Sequence, residues 1–299
     1  MSKVLITGGL GQIGSYIVER LCNEHEVTVI DNFSSTVKEE VPDGVMVIRA
    51  DVQDRCVRDV VCNNDVIIHA AAQVSVEKST QDPIHDAENN VIGTLNLLEA
   101  ARQADIKRFV YLSSAAVYGN PTYLPIDEEH PQNPLSPYGV SKLSAEKYCV
   151  AYNRAFGLPT VCLRVFNVYS PRQSPQNPYS GVISTFIERV VDDKPPVIFG
   201  DGSQTRDFVS VHDIVDMVCL VMEKDEAAGE VFNVGTGIVT RIDDLAIKTI
   251  KLFGKDLVPQ YTEPRRGDIV DSYTDISKAR ETGYSPKVML DEGLKEFLP

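Results

Sequence analysis

The feature that most restricts what this chain can fold into is a glycine turn close to its start. A β-branched run, Val4-Leu5-Ile6, leads straight into Thr7-Gly8-Gly9-Leu10-Gly11-Gln12-Ile13-Gly14, and helical spacing follows over 11–23. Glycines 8, 11 and 14 make a GxxGxxG pattern, and 9, 11 and 14 make GxGxxG. Glycine is needed at such positions because the backbone must turn tightly, approach a pyrophosphate with no Cβ in the way, and let helix lie close on strand. The helix start then offers unpaired N–H groups and a favourable dipole to the phosphates. Asp31 closes the second predicted strand seventeen residues after Gly14. A carboxylate there accepts from the adenosine ribose hydroxyls and repels a 2′-phosphate. The turn therefore predicts a site for NAD rather than NADP, built on Gly8, Gly11, Gln12, Ile13, Gly14 and Asp31.

The rest of the first half repeats the alternation that the turn begins. Short apolar runs at 4–7, 26–31, 45–50, 65–70 and 108–113 read as buried strands, and 11–23, 85–104 and 137–156 have helical length and spacing. Near-continuous apolar strands separated by helices predict an α/β fold, a doubly wound (Rossmann) parallel sheet covered on both faces. After a further strand at 160–166, the segment Ser170-Pro171-Arg172-Gln173-Ser174-Pro175-Gln176-Asn177-Pro178 is loop-like. We expect a dinucleotide-binding domain over 1–166 and a smaller, interleaved C-terminal substrate lobe over 167–299, with 209–222 and 231–234 rejoining the sheet within about 207–235.

A net charge of -14 and the lack of a Lys/Arg cluster argue against a nucleic-acid binder, so an anionic ligand needs a few local cations. No apolar run reaches the roughly 18 residues of a membrane span. Met1 passes directly into the first strand, leaving no room for a signal peptide, so a cytoplasmic protein without membrane partners is expected. Cys22, Cys56, Cys62, Cys149, Cys162 and Cys219 form no CxxC pair, and buried free thiols are the preferred reading. The five histidines lack metal-ligand spacing, and no metal is expected.

The chemistry is carried by Ser136-Pro137-Tyr138-Gly139-Val140-Ser141-Lys142, which opens a helix with Ser136 as N-cap and Pro137 in the first turn. Tyr138 and Lys142 are then i, i+4 neighbours on one face. A tyrosine titrating near 10 is a poor base at neutral pH, and a nearby ammonium or an oxidised nicotinamide favours its phenolate. Alone, this spacing also fits an ordinary surface pair. Leu112-Ser113-Ser114-Ala115-Ala116-Val117-Tyr118-Gly119 adds hydroxyls at a strand end, where a doubly wound sheet has its ligand crevice.

These motifs together resemble the extended branch of the short-chain dehydrogenase/reductase superfamily, the nucleotide-sugar epimerases and dehydratases. The resemblance covers essentially the whole chain, including Asp31-Asn32-Phe33-Ser34, Asp51-Val52, His69-Ala70-Ala71-Ala72 and Asn89-Asn90-Val91-Ile92-Gly93-Thr94. It implies Ser114 as the active-site serine, Tyr138 as acid/base and Lys142 as its partner. Asn32, Ser34, Ala70, Ala71 and Ala72 join the cofactor contacts, with Asp51 and Val52 at the adenine and Asn89 on the nicotinamide side. His69 is structural in this pattern.

Dehydratases and decarboxylases of this branch carry acids just before the Val-Tyr-Gly, where this chain has Ala115 and Ala116. The resemblance therefore implies a UDP-hexose 4-epimerase acting through a transient 4-keto sugar. Asn167 and the arginines Arg206 and Arg265 would hold the diphosphate, Val182 and Phe199 the uracil, and Asp268 the ribose. Two arginines on separate segments can fork onto phosphate oxygens. Ser272 falls at the pocket-wall position where a tyrosine closes the space around the C2 substituent, so UDP-N-acetylglucosamine and UDP-N-acetylgalactosamine are expected beside UDP-glucose and UDP-galactose. A UDP-glucuronate 4-epimerase, another nucleotide-sugar oxidoreductase and a catalytically silent NAD-binding scaffold are the alternatives. The resemblance also implies a homodimer through a four-helix interface of 85–104 and 137–156.

Overall fold

The computed structural model describes residues 1–104, 106–173, 181–264 and 269–298. Its first half runs β1 (Lys3–Thr7), α1 (Gly14–Leu21), β2 (Glu26–Asp31), β3 (Met46–Arg49), α2 (Val57–Cys62), β4 (Val66–His69), α3 (Val76–Gln81), α4 (Pro83–Ala87), α5 (Gly93–Gln103), β5 (Arg108–Ser114), α6 (Pro137–Phe156) and β6 (Thr160–Val165). The second half adds β7 (Asn167–Tyr169), α7 (Val182–Val191), β8 (Val197–Phe199), β9 (Thr205–Arg206), β10 (Phe208–Ser210), α8 (Val211–Glu223), β11 (Val231–Val234), β12 (Thr240–Arg241), α9 (Ile242–Leu252), β13 (Gln260–Thr262) and β14 (Asp271–Ser272).

Among the described residues the central sheet has seven strands in the order β11-β6-β5-β4-β1-β2-β3, and each pairing is parallel. The apolar continuity of the strands follows from cover on both faces: every residue of β4 and β6 is buried. The two-residue period sorts them. Val4 and Ile6 join one core cluster with Ile17 of α1 and Ile214 of α8, while Leu5 joins a second with Leu97 of α5 and Ala145 of α6. Chain order reverses between β1 and β4, so the crevice opens beyond the carboxyl ends of these strands, where the glycine turn and the end of β5 lie.

The remaining strands make small sheets, β10-β7, β12-β9-β14 and β13-β8, around a separate core that includes Tyr169, Phe186, Ile198, Phe208 and Leu245. The segment expected over 209–222 is mostly α8, and the strand before it, β10, pairs with β7 outside the central sheet. Arg172 ties this half back to α1: its guanidinium donates to Ser15 Oγ (3.0 Å) and Glu19 Oε2 (2.6 Å) and lies 3.9 Å from the centre of the Tyr16 ring. Among the described residues, no helix is long and apolar enough to cross a membrane. The cysteines are free thiols, but only Cys149 and Cys162 are fully buried, and Cys56 and Cys62 are exposed.

The helix expected over 85–104 is not continuous. Glu88–Ile92 forms a π turn between α4 and α5. Asp86, Asn90 and Thr94 recur every four residues and are all buried. Thr94 Oγ1 donates back to the Asn90 carbonyl (2.6 Å), and a Cβ on Gly93 would stand 2.5 Å from Val52 Cγ2. A polar stripe in the interior and a close neighbour replace regular packing here, and π turns of this kind concentrate at functional sites.

The half of the sheet that carries β5 and α6 is held by a buried ion pair. Arg164 of β6 donates Nη2 to Glu146 Oε1 (2.7 Å) and Nε to Oε2 (3.0 Å), with side chains 2% and 0% exposed. Ser113 Oγ donates to the same carboxylate (2.8 Å), and Arg164 Nη1 donates to Tyr118 Oη (2.7 Å) and the Glu128 carbonyl (3.0 Å). Removing one member of such a pair strands the other charge in the interior, which costs about 3–5 kcal/mol. Glu146→Gln is expected to lower unfolding free energy by about that amount, read from the urea midpoint at unchanged m-value.

Candidate active site

The glycine turn has the geometry its residue types demand. Gly8 has a φ of +68°, and a Cβ there would meet the Ala71 backbone at 2.7 Å. A Cβ on Gly14 would lie 2.1 Å from the Gly8 carbonyl oxygen, so α1 can begin where it does only without one. Asp31, 8% exposed, accepts from Leu10 N at Oδ2 (3.0 Å) and from Phe33 N at Oδ1 (2.8 Å). Its carboxylate therefore braces the glycine turn and the turn after β2. Asn32 Nδ2 donates to Asp51 Oδ2 (2.9 Å) and Asn32 Oδ1 accepts from Ser34 N (3.0 Å), so Asn32, Ser34 and Asp51 share one rim. Val52 is different: it is buried in the core against Gly93.

Whether the turn suits a dinucleotide can be tested on its polar atoms. Gln12 Nε2 and Thr36 Oγ1 are buried with no hydrogen-bond partner, one in the turn and the other in the segment that follows β2. Orphaned polar atoms beside a cradle that any Cβ would fill are what a phosphate-bearing ligand would satisfy. The residues fit NAD.

Behind the turn, His69 is a strut. Ala71 N donates to Thr7 Oγ1 (3.3 Å), the Thr7 hydroxyl lies 2.7 Å from His69 Nδ1, and His69 Nε2 lies 2.9 Å from Thr94 Oγ1. Because the Thr94 hydroxyl donates to Asn90 O, the ring donates from Nε2 and accepts at Nδ1. Burial, with the Lys142 charge, lowers its pKa to about 3 and keeps it neutral. The base is elsewhere.

Ser136 and Pro137 open α6 as their types predict: the Ser136 hydroxyl accepts from Gly139 N (3.1 Å), and the helix ends on Gly157 at φ +71°. Gly139 matters for another reason, since a Cβ there would lie 2.6 Å from the Ala116 carbonyl oxygen. This close approach draws the first turn of α6 onto the turn after β5. Ser114 and Tyr138 are thereby brought close enough for the Ser114 hydroxyl to act on the phenol. Burial raises the Tyr138 pKa, the Ser114 hydroxyl lowers it, and the charge of Asp86 raises it.

Lys142 reaches from α6 to β5. It is 4% exposed, donates Nζ to the Leu112 carbonyl (2.8 Å) and stands 4.9 Å over the Tyr111 ring. Burial lowers its pKa to about 8, against the opposing charge of Asp86. In the protein chain alone, the lowering influence on Tyr138 is Ser114 and not Lys142.

Asn89 is half-buried with Nδ2 on the His85 carbonyl (2.8 Å), whereas its neighbour Asn90 is fully buried and donates to Ser141 Oγ (3.0 Å) and Gln73 O (3.0 Å). Asn90, Asp86 and Gln73 were not singled out from the sequence. The stripe Asp86, Asn90, Thr94, polar at helical spacing, was the available signal.

The substrate candidates gather on the second half. Asn167 Nδ2 donates to the Asp207 carbonyl (3.2 Å), and Arg206 Nη1 donates to the carbonyls of Thr205 (2.7 Å) and Val270 (3.2 Å). Ser272 of β14 lies in register with Arg206 of β9 and is 9% exposed. Val182 begins α7, and the Phe199 carbonyl at the end of β8 accepts from Gln204 Nε2. Asp207, fully buried, accepts from Thr236 N (2.9 Å) and Gly237 N (2.8 Å) and fixes this half behind the arginine. Arg265 and Asp268 lie outside the described residues.

The model of the NAD dependent epimerase/dehydratase family matches residues 4–235. A UDP-glucose 4-epimerase of Mycolicibacterium smegmatis is 39% identical over 303 residues, covering 98% of this chain and 96% of that one. Among solved structures, a UDP-N-acetylglucosamine 4-epimerase from Methanobrevibacter ruminantium M1, in complex with UDP-N-acetylmuramic acid, superposes with TM-score 0.95 at 35% identity, covering 99% of this chain and 96% of that one. A UDP-glucose 4-epimerase of Thermotoga maritima with UDP-glucose gives 0.94 at 38% identity, covering 99% and 97%. The chain belongs to the NAD dependent epimerase/dehydratase family.

A lysine titrating at about 8 is charged at neutral pH and loses its proton as pH rises through that value. Lys142 therefore loses its charge above about pH 8, and a plot of kcat against pH is expected to show a basic limb with its midpoint near that value.

Proposed function

We propose that this chain is a UDP-sugar 4-epimerase with bound NAD, whose pocket accepts N-acetylated hexoses as well as glucose and galactose. The observation that carries the reading is the close approach of Gly139 to Ala116, which brings Tyr138 to Ser114 at the carboxyl end of β5, beside a glycine turn suited to NAD. NAD, when bound, supplies the acceptor for the C4 hydrogen and a positive charge that favours phenolate at Tyr138. Gly8, Gly11 and Gly14, with Gln12 and Asp31, would hold it.

The protein's own part is proton handling and orientation. Tyr138 takes the proton from the 4-hydroxyl as the C4–H bond is oxidised to the ketone, and gives a proton back when C4 is reduced on the opposite face. Ser114, close to Tyr138, orients the hydroxyl oxygen for either hand of the product. Ala115 and Ala116 supply no acid or base for loss of water or carbon dioxide, which favours oxidation and return over further chemistry. Asn167 and Arg206 would take the diphosphate, with Arg265 as second cation and Asp268 at the ribose.

Acceptance of the N-acetyl group rests on Ser272, a small side chain in register beside Arg206. A homodimer fits the outer faces of α4, the π turn and α6, where Ile84 (70% exposed), Ile92 (52%) and Val140 (51%) stand in water.

Incubation with UDP-N-acetylglucosamine and UDP-glucose separately, without added NAD, should yield both 4-epimers by NMR. No product from either would refute the activity. Tyr138→Phe is expected to lower kcat by about a hundredfold or more, with the fold retained by circular dichroism. Ser272→Tyr should abolish N-acetyl turnover and spare the smaller sugars; unchanged N-acetyl turnover refutes the gate.

A further inference from the structure

Asp86 of α4 is a carboxylate 1% exposed with no cation bonded to it. Its Oδ1 accepts from Gln73 Nε2 (2.8 Å) and Asn90 Nδ2 (3.2 Å), while Oδ2 is buried with no partner. An interior carboxylate oxygen left unsatisfied is costly, and its retention asks for a role. The bonds around it lead to the proton-handling helix. Asn90 Nδ2 also donates to Ser141 Oγ (3.0 Å), and Ser141 Oγ donates to the Tyr138 carbonyl (3.0 Å). Gln73 Nε2 bridges Asp86 to the Ser75 carbonyl (2.9 Å), and Gln73 N donates to Asn90 Oδ1 (2.9 Å), so the segment leaving β4 is fixed to the same carboxylate.

We propose that Asp86 is a positioning residue for the reaction: it braces the start of α6 through Asn90 and Ser141, and its buried negative charge sets the pH range in which Tyr138 and Lys142 work. The inference rests on the reading of Tyr138 as acid/base. Other charges near Asp86 do not compete. Glu77 and Lys78 of α3, Asp82, His85 and Glu88 at its own helix, and Lys147, Tyr148 and Arg154 of α6 are exposed, while Glu146 is occupied by Arg164 and His69 is neutral. Tyr138 and Lys142 face it from α6, and its charge raises the pKa of both. A negative charge in the interior keeps the ammonium charged and resists the phenolate, so it moves both limbs of the pH profile in the same direction.

The unpartnered Oδ2 makes a clean test available. Asp86→Asn keeps an acceptor at Oδ1 and places its amide nitrogen where no hydrogen bond is lost, so it removes charge with little change of shape. In the holoenzyme, both limbs of kcat against pH should move about half a unit or more to lower pH, and Asp86→Glu should restore the parent profile. A second reading needs no turnover. The ultraviolet phenolate difference between protein with and without Tyr138→Phe reports Tyr138 alone, and in the Asp86→Asn background its midpoint should fall by a similar amount. Profiles and phenolate midpoints that do not move overturn the proposal, as does a change confined to oligomeric state by size exclusion. If Tyr138→Phe keeps full activity, the acid/base assignment fails instead; loss there with an unmoved Asp86→Asn profile overturns Asp86 only.

Discussion

The arrangement of this molecule hangs on a guanidinium and a carboxylate withdrawn from water, Arg164 and Glu146. Opposite charges in the interior are tolerable only when geometry is good and every remaining lone pair and proton is used. That condition recruits Ser113 from β5, Tyr118 from the turn after it, and the Glu128 carbonyl from the loop that follows. Tyr118 Oη in turn donates to Asn233 Oδ1 of β11 (2.6 Å). One ion pair thus sets α6 against β5, β6 and β11. Ser113 is the residue before Ser114, so the demand for satisfied charge is transmitted directly to the position of the Ser114 hydroxyl.

Around the crevice the polar groups divide into those that hold shape and those that hold charge. His69, neutral and bonded at both nitrogens, links the glycine turn to the π turn without adding charge. Asp31 joins the glycine turn to the segment after β2. Lys142 is the interior cation of the site, carried by a backbone carbonyl and an aromatic face instead of a salt bridge. A carbonyl neutralises no charge, so this ammonium stays sensitive to its surroundings.

Much of this was legible in the sequence where local chemistry dictates structure. The glycine turn, the capped start of α6 and the strand β2 fall where residue type and period place them, because steric limits on Cβ and orphan helix N–H groups act over a few residues. What was not legible depends on which distant side chains meet. The i, i+4 spacing of Tyr138 and Lys142 suggested an ammonium beside a phenol, yet Lys142 reaches β5. That Val52 packs its side chain against Gly93 was likewise not written in its neighbours. Arg164 and Glu146 stand eighteen positions apart in runs that read as an apolar strand and an amphipathic helix. Nothing local announces their pairing.

The π turn at Glu88–Ile92 has an evolutionary consequence. A wide turn arises from an extra residue threaded into a helix, so α4 and α5 present faces that are out of phase, one turned toward Gln73 and Ser141 and the other toward the sheet. Such a feature is written in the count of residues between Pro83 and Gly93 and not in any single type. Point substitution can weaken what the turn displays, but only insertion or deletion can create or erase it. Outside the buried positions Asp86, Asn90 and Gly93, this stretch should tolerate change of side chain while holding its length.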